Sequence, residues 1–181
     1  MSESPRPVYL DSTVLSNLAL TDSVDVLFEC FQDPVVPEPV ADELADGAFD
    51  DHPHLNRAIL QLEPDNAEIV QSQYDEPNLS QDWLRRESVA VPDYPDEIRT
   101  VDPGEAAVLI LAHEHGGVAA TDDGDARDVA NSLGIDCTGS LGVLAKAVHT
   151  DVIDVETADQ WLAEWIDYGY YSPVESVSEL L

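Results

Sequence analysis

Six acidic residues of this chain are placed where oxygen ligands for a hard divalent cation could meet: Asp11, Glu43, Glu105, Asp122, Asp123 and Asp125. Mg²⁺ and Mn²⁺ bind through a few carboxylates together with water and phosphate oxygens. Two such ions can activate a water and stabilise the departing oxygen of a phosphodiester. Asp11 directly follows the apolar run Pro7-Val8-Tyr9-Leu10, and Asp122-Asp123 directly follow Val118-Ala119-Ala120-Thr121. Glu105 stands in Asp102-Pro103-Gly104-Glu105, and Glu43 in Val40-Ala41-Asp42-Glu43-Leu44. Each residue also has a purely structural use. Asp11, Asp122 or Asp123 can cap a helix, Asp102 and Glu105 can form a reciprocal capping box, and Glu43 can face solvent. Independent caps have no reason to share one rim of a fold, so the group is treated together as a candidate site.

An alternating pattern of strands and helices must bring these residues together. Short apolar strands are expected at 7–10, 35–36, 118–121 and 135–137. Helices are expected at 14–20, 23–31, from Pro39 onward, from Asp102 to His115 ahead of Gly116-Gly117, and at 122–133 ahead of Gly134. Others follow at 140–148 and at 157–166, the latter with Trp161, Leu162 and Trp165 on one side, and a last short helix ends at Leu181. Strands alternating with helices imply an α/β/α three-layer sandwich around a short, mostly parallel sheet. Ligands of such sheets bind beyond the carboxyl ends of the strands, which puts Asp11 and Asp122-Asp123 on the same rim.

The length of 181 residues suits a single domain spanning the whole chain. Residues 45–101, rich in Asp, Pro, His and Gln, read as a divergent insertion or connector that covers or flanks the site. Helices near 55–62 and 67–74 and a strand at Ser88-Val89-Ala90-Val91 are its expected elements.

Thirty-eight acids against seven bases give a formal net charge of −31, and Lys146 is the sole lysine. The acids are spread along the chain, so the charge belongs to the surface and not to a tail. Such a surface around a core of ordinary hydrophobic content fits molar salt, where the Debye length is only about 3 Å. A halophilic cytoplasm is the expected setting. The two cysteines, Cys30 and Cys137, are read as free thiols, and the N-terminus shows no signal-peptide pattern. No apolar run approaches the length of a membrane span. His52, His54, His113 and His115 match no transition-metal spacing and read as exposed loop or helix residues. No P-loop, GxSxG or GxGxxG pattern is present.

The motifs V-Y-L-D-S-T-V-L-S-N-L-A, V-V-P-E-P-V-A-D-E-L and G-E-A-A-V-L-I-L-A followed by A-A-T-D-D-G-D-A-R-D-V-A-N-S-L-G-I-D-C-T-G-S-L-G-V-L resemble a PIN domain, the ribonuclease fold of VapC-type toxins. The T-G-S-L-G-V-L run and the closing G-Y-Y-S-P resemble a prokaryotic branch of nucleic-acid-binding PIN proteins. The resemblance covers 7–44 and 102–181 and departs over 45–101. It implies an Asp after the first strand, Asp11, and a Glu on the helix after the second, Glu43, with Asp42 as the competing register. It also implies an acid at the start of the central helix, here Glu105 where Asp is usual, and a T-x-D element, Thr121-Asp122-Asp123. Asp123 is then the first choice of ligand, with Asp122 and Asp125 as supplements and Thr13 and Asn17 as polar neighbours. The implied activity is Mg²⁺- or Mn²⁺-dependent endoribonuclease cleavage, with RNA as substrate, an antitoxin as partner of a toxin, and a homodimer as the assembly.

Two other functions compete with this reading. A catalytically inactive PIN-derived module that binds RNA or protein is consistent with Glu105 in place of Asp. A phosphohydrolase of the haloacid dehalogenase type needs a second Asp two residues beyond Asp11, where Thr13 stands, and a lysine upstream of the acid pair, where none occurs.

Overall fold

Three or four residues suffice for each inner strand because helices cover both sides of the sheet and leave no solvent face to alternate. The computed structural model describes residues 6–49, 52–62, 83–89 and 96–181. Among them runs a five-stranded, all-parallel sheet of β1 (Val8–Leu10), β2 (Pro34–Pro37), β3 (Arg85–Glu87), β4 (Val118–Ala120) and β5 (Asp136–Thr138), in the order β3-β2-β1-β4-β5. The register pairs Val8, Tyr9 and Leu10 with Val118, Ala119 and Ala120, and Val8 and Tyr9 with Pro34 and Val35. β1 and β2 are buried throughout, with Pro34 and Pro37 at the two ends of β2, where a missing N–H disturbs the ladder least.

The helices among the described residues are α1 (Ser12–Leu20), α2 (Val26–Cys30), α3 (Glu38–Phe49), α4 (Leu55–Leu60), α5 (Pro103–His115), α6 (Gly124–Leu133), α7 (Ser140–His149) and α8 (Val155–Tyr168), with 3₁₀ turns at Asp96–Thr100 and Val177–Leu180. The chain first steps outward from β1 to β2 to β3, then returns across the sheet to β4 and β5. Right-handed crossovers therefore put α1 to α4 on one face and α5 and α6 on the other. The reversal falls between β1 and β4, so the crevice of the fold opens there. The three-layer α/β/α arrangement expected from the alternating pattern is the one found, with every strand pairing parallel.

α5 is the central helix. Pro103 opens it, and Ala107 to Ala112 are all buried, because it packs on β1, β2 and β4 and also meets α3 and α6. Gly116 ends it with φ of 62°, the left-handed conformation that glycine adopts without strain. Gly117 follows, and a side chain there would press to 2.8 Å from the Pro7 carbonyl and the Tyr9 ring.

Among the described residues, 45–101 hold the end of α3, then α4, β3 and the 3₁₀ turn at Asp96–Thr100. α4 packs against α1 and α3, and β3 adds an edge strand to β2. The strand expected at 88–91 lies instead at Arg85–Glu87; Ser88 and Val89 are outside it, and Ala90 and Val91 fall outside the described residues. An edge strand tolerates charged side chains, and Arg85 is tied to Asp33 at 3.0 Å and to Glu87 at 2.7 Å. Apolar composition therefore did not mark this strand, and of the expected segment only Ser88 and Val89 are described. The helix expected at 67–74 also lies outside the described residues. The last element is a 3₁₀ turn, and no helix among the described residues is long and apolar enough to cross a membrane.

α8 closes the sandwich through Trp165, which is fully buried, donates from Nε1 to Thr21 Oγ1 at 3.2 Å and meets Tyr170 edge-on at 6.0 Å between ring centroids. Trp165→Ala is expected to cost about 3–5 kcal/mol. In a thermal melt the midpoint should fall by roughly 10 °C or more.

Candidate active site

β1 ends where Asp11 N donates to the Ala120 carbonyl at 2.9 Å, the last link to β4. Asp11 then turns the chain into α1, its Oδ1 accepting from Ser12 N at 2.7 Å. Its other oxygen, Oδ2, accepts from the Thr121 hydroxyl at 3.1 Å, and Thr121 Oγ1 in turn accepts from Asp123 N at 3.1 Å. Two hydrogen bonds through one buried hydroxyl thus join the ends of β1 and β4. Asp11 is only 2% exposed. Burial pushes its carboxyl up to about 6, the nearby charges of Glu43 and Asp122 add to the rise, and the Ser12 N–H and Thr121 O–H work against it.

Glu105 sits in the first turn of α5, where its Oε2 accepts from Asp102 N at 3.1 Å. Burial, together with the charges of Asp123, Asp11 and Asp102, pushes it up to about 7. Glu43 reaches across from α3, and its Oε1 accepts from Gly104 N at 3.1 Å at the start of α5. Its neighbour Asp42 is exposed and makes no such contact among the described residues. Gly104 leaves room for this contact, since a Cβ there would press against the Glu43 carboxylate, 2.7 Å from Oε2, and push that side chain aside.

Asp123 caps α6, with Oδ1 accepting from Ala126 N at 2.9 Å. Asp122 faces the other way and is heavily used. It accepts from Ser140 N at 2.9 Å and from the Ser140 hydroxyl, from Tyr170 O–H at 3.3 Å, and from Asn17 Nδ2 at 3.4 Å. It thereby fastens the start of α7, and Gly139 is needed beside it because a Cβ would lie 2.5 Å from Asp122 Oδ1. Asp125 is exposed in the first turn of α6.

A common pattern runs through Glu43, Glu105 and Asp123. One carboxylate oxygen of each is held by a backbone N–H, and among the described donors the other is free. No Lys or Arg among the described residues forms an ion pair with any of these acids or with Asp11. In the present side-chain positions no three His, Cys, Asp or Glu groups among the described residues stand ready to enclose a metal ion. What does fit a hard divalent cation is the donor chemistry. The carboxylates supply only oxygen donors, and burial, with a smaller part from neighbouring acids, raises the pKa of Asp11 and Glu105.

Three residues that frame the site were not singled out from the sequence. Thr121 was read only as a strand end and one letter of the T-x-D element, Ser140 only as a helix start, and Tyr170 only as part of the closing G-Y-Y-S-P. The signals were a hydroxyl residue directly before an acid pair and the T-G-S turn. The histidines divide. His52, His113 and His115 are exposed, as expected, whereas His54 is half-buried because its ring packs between Ser16 and Tyr168.

An acidic rim stands at the reversal point of an all-parallel sheet with helices on both faces, which makes this an α/β domain. A PIN domain family model matches residues 62–181, more than half of the chain, and the protein belongs to the PIN domain family. The match contains Glu105, Asp122, Asp123 and Asp125, and it runs through β3 and the rest of 62–101, the stretch hardest to align by inspection. No curated protein and no solved structure matches the chain.

The raised carboxyls set the pH dependence of the metal-free fold. Below about 4 Asp11 is protonated both folded and unfolded. Between about 4 and 6 the unfolded chain ionises first, so stability falls as pH rises, and above about 6 the loss is constant; Glu105 extends the window to about 7. At pH 8 the buried Asp11 charge costs roughly 2–3 kcal/mol. Asp11→Asn is therefore expected to melt higher than wild type at pH 8 without divalent cation, and the two should converge toward pH 4. Gly104→Ala should displace Glu43 and weaken Mn²⁺ binding by about tenfold or more in calorimetric titration, in the manner of a lost supporting contact.

Proposed function

We propose that the protein is a divalent-cation-dependent endoribonuclease in which Asp11, Glu43, Glu105 and Asp123 form the catalytic site. The observation that carries this reading is the bridge from buried Asp11 through Thr121 to Asp123, beside carboxylates that form no ion pair with a Lys or Arg among the described residues. A buried, unpaired carboxylate is destabilising, and such groups concentrate at functional sites.

Mg²⁺ or Mn²⁺, when bound, supplies Lewis acidity toward a phosphate oxygen and lowers the pKa of water. Asp11, Glu105 and Asp123 are the residues that would hold it. Glu43 joins them through the free oxygen that its bond to Gly104 leaves. Thr121 positions both Asp11 and the Asp123 backbone. Asp122, saturated by Ser140, Tyr170 and Asn17, acts as a positioning residue behind the ligands, and exposed Asp125 is at most a peripheral supplement. Burial raises the Glu105 carboxyl to about 7, so a proton would compete with a bound cation for this residue near neutral pH.

The VapC resemblance extends the proposal to a toxin that cuts RNA in a halophilic cytoplasm, acts as a homodimer and is held in check by an antitoxin. Residues 45–101, on this reading, flank the site as a divergent insertion within a single domain.

Labelled RNA incubated with Mn²⁺ in molar KCl should be cut by wild type and not after chelation. Asp11→Asn should lose about 100-fold or more of the rate, and Thr121→Val, which removes a supporting hydroxyl, about 10- to 100-fold. Cleavage that survives chelator or Asp11→Asn sinks the proposal. Absence of Mn²⁺ binding in molar KCl would instead identify an inactive PIN-derived binding module.

A further inference from the structure

Beside the carboxylates, on the α1 side, lies a cleft of about 290 Å³, near the lower end of the range for small-ligand pockets. One wall is polar: Thr13 and Asn17 from α1, and Glu43 from α3. The opposite wall is aromatic. The His54 ring meets the Tyr168 ring edge-on at 5.1 Å between centroids and meets His52 at 5.9 Å. His54 is held by Ser16 Oγ at 3.1 Å, and His52 Nδ1 lies 3.1 Å from the Tyr168 hydroxyl. These contacts lock three rings in place while leaving Tyr168 55% exposed.

None of the seven Lys and Arg residues lines this cleft. Several are committed elsewhere: Arg6 to Asp136, Arg57 to the end of α1 and Asp22, Arg85 to Asp33 and Glu87, and Arg99 to Asp96. The usual source of nucleic-acid affinity, phosphate neutralisation by basic side chains, is thus missing where a substrate would enter. Aromatic stacking remains, and it tolerates any base because every base has a π-face; a contact without phosphate neutralisation releases no counterions and so depends little on salt. A protonated His54 would attract phosphate, and burial, followed by the charges of His52 and Arg57, lowers its pKa and disfavours that form.

We propose that the cleft formed by His54, Tyr168, His52, Thr13 and Asn17 is a subsite for one unpaired base of single-stranded RNA next to the scissile phosphate. The base stacks against the exposed face of Tyr168, with its polar edge turned toward Thr13 and Asn17. This rests on the nuclease reading, since it is the carboxylates of that site that place the scissile phosphate alongside.

The test uses an RNA oligonucleotide carrying 2-aminopurine, bound in the Asp11→Asn background so that the strand stays intact, with cleavage by wild type measured in parallel. Stacking should quench the 2-aminopurine emission. Tyr168→Ala should lose the quenching and weaken binding by about tenfold or more, and Tyr168→Phe, which keeps the ring, should stay near the parent. His54→Gln keeps a bond to Ser16 and should lose part of the quenching. Affinity should change little between 1 and 3 M KCl (roughly less than threefold), unlike a phosphate-neutralising site. If wild type cleaves RNA while 2-aminopurine is not quenched and Tyr168→Ala binds as tightly as its parent, the subsite is overturned and the nuclease reading stands. If wild type neither binds nor cleaves RNA, both fall together.

Discussion

Everything at the rim depends on one buried hydroxyl. Thr121 donates to Asp11 and accepts from the backbone of Asp123, so the ends of β1 and β4 are joined by a side chain as well as by the ladder. The position follows from topology. The crossovers change direction between these two strands, which places the carboxyl ends of both at the reversal point of the sheet. Without the hydroxyl, Asp11 would keep only its contacts to Ser12 while still being almost entirely removed from water.

The acids of the rim serve two purposes at once. Asp123 caps α6, Glu105 satisfies the N–H of Asp102, the residue capping α5, and Glu43 satisfies the Gly104 N–H in the first turn of the same helix from outside. Each use takes one oxygen. A carboxylate has two, so capping and ligation are compatible, and the choice posed by the sequence between a structural and a functional role is resolved as both being physically available. Helix N-termini also carry partial positive charge, which eases the crowding of negative groups that would otherwise repel one another. That relief is incomplete, as the raised pKa values of Asp11 and Glu105 record.

The acidity of the chain reaches into its way of meeting other molecules. With few basic side chains, most of them engaged by acids or carbonyls and Lys146 set over the Phe31 ring, the protein lacks the diffuse positive surface on which nucleic-acid affinity commonly rests. Rings and hydroxyls beside the carboxylates are the groups left to contribute. The clustering of His52, His54 and Tyr168 joins α8 to the start of α4, two elements far apart in sequence.

Much of the fold was legible in the sequence because the signals were local. Apolar triplets, the Asp102-Pro103 helix start, and glycines at 116 and 134 mark elements through backbone chemistry that neighbours scarcely alter. The edge strand at Arg85–Glu87 was not legible, since its charged residues are acceptable only because β2 offers an open edge. The acidic rim was half legible: strand ends pointed to Asp11 and Asp123, but their linkage through Thr121, the pairing of Glu43 with Gly104 and the saturation of Asp122 by Ser140 and Tyr170 are not local. They join residues between 2 and 110 positions apart, mostly from different elements. The sequence by itself determined which oxygens and which strand ends were present. Only the tertiary structure decided which carboxylates lose an oxygen to a backbone donor and which keep one free, because that depends on where two distant segments stop.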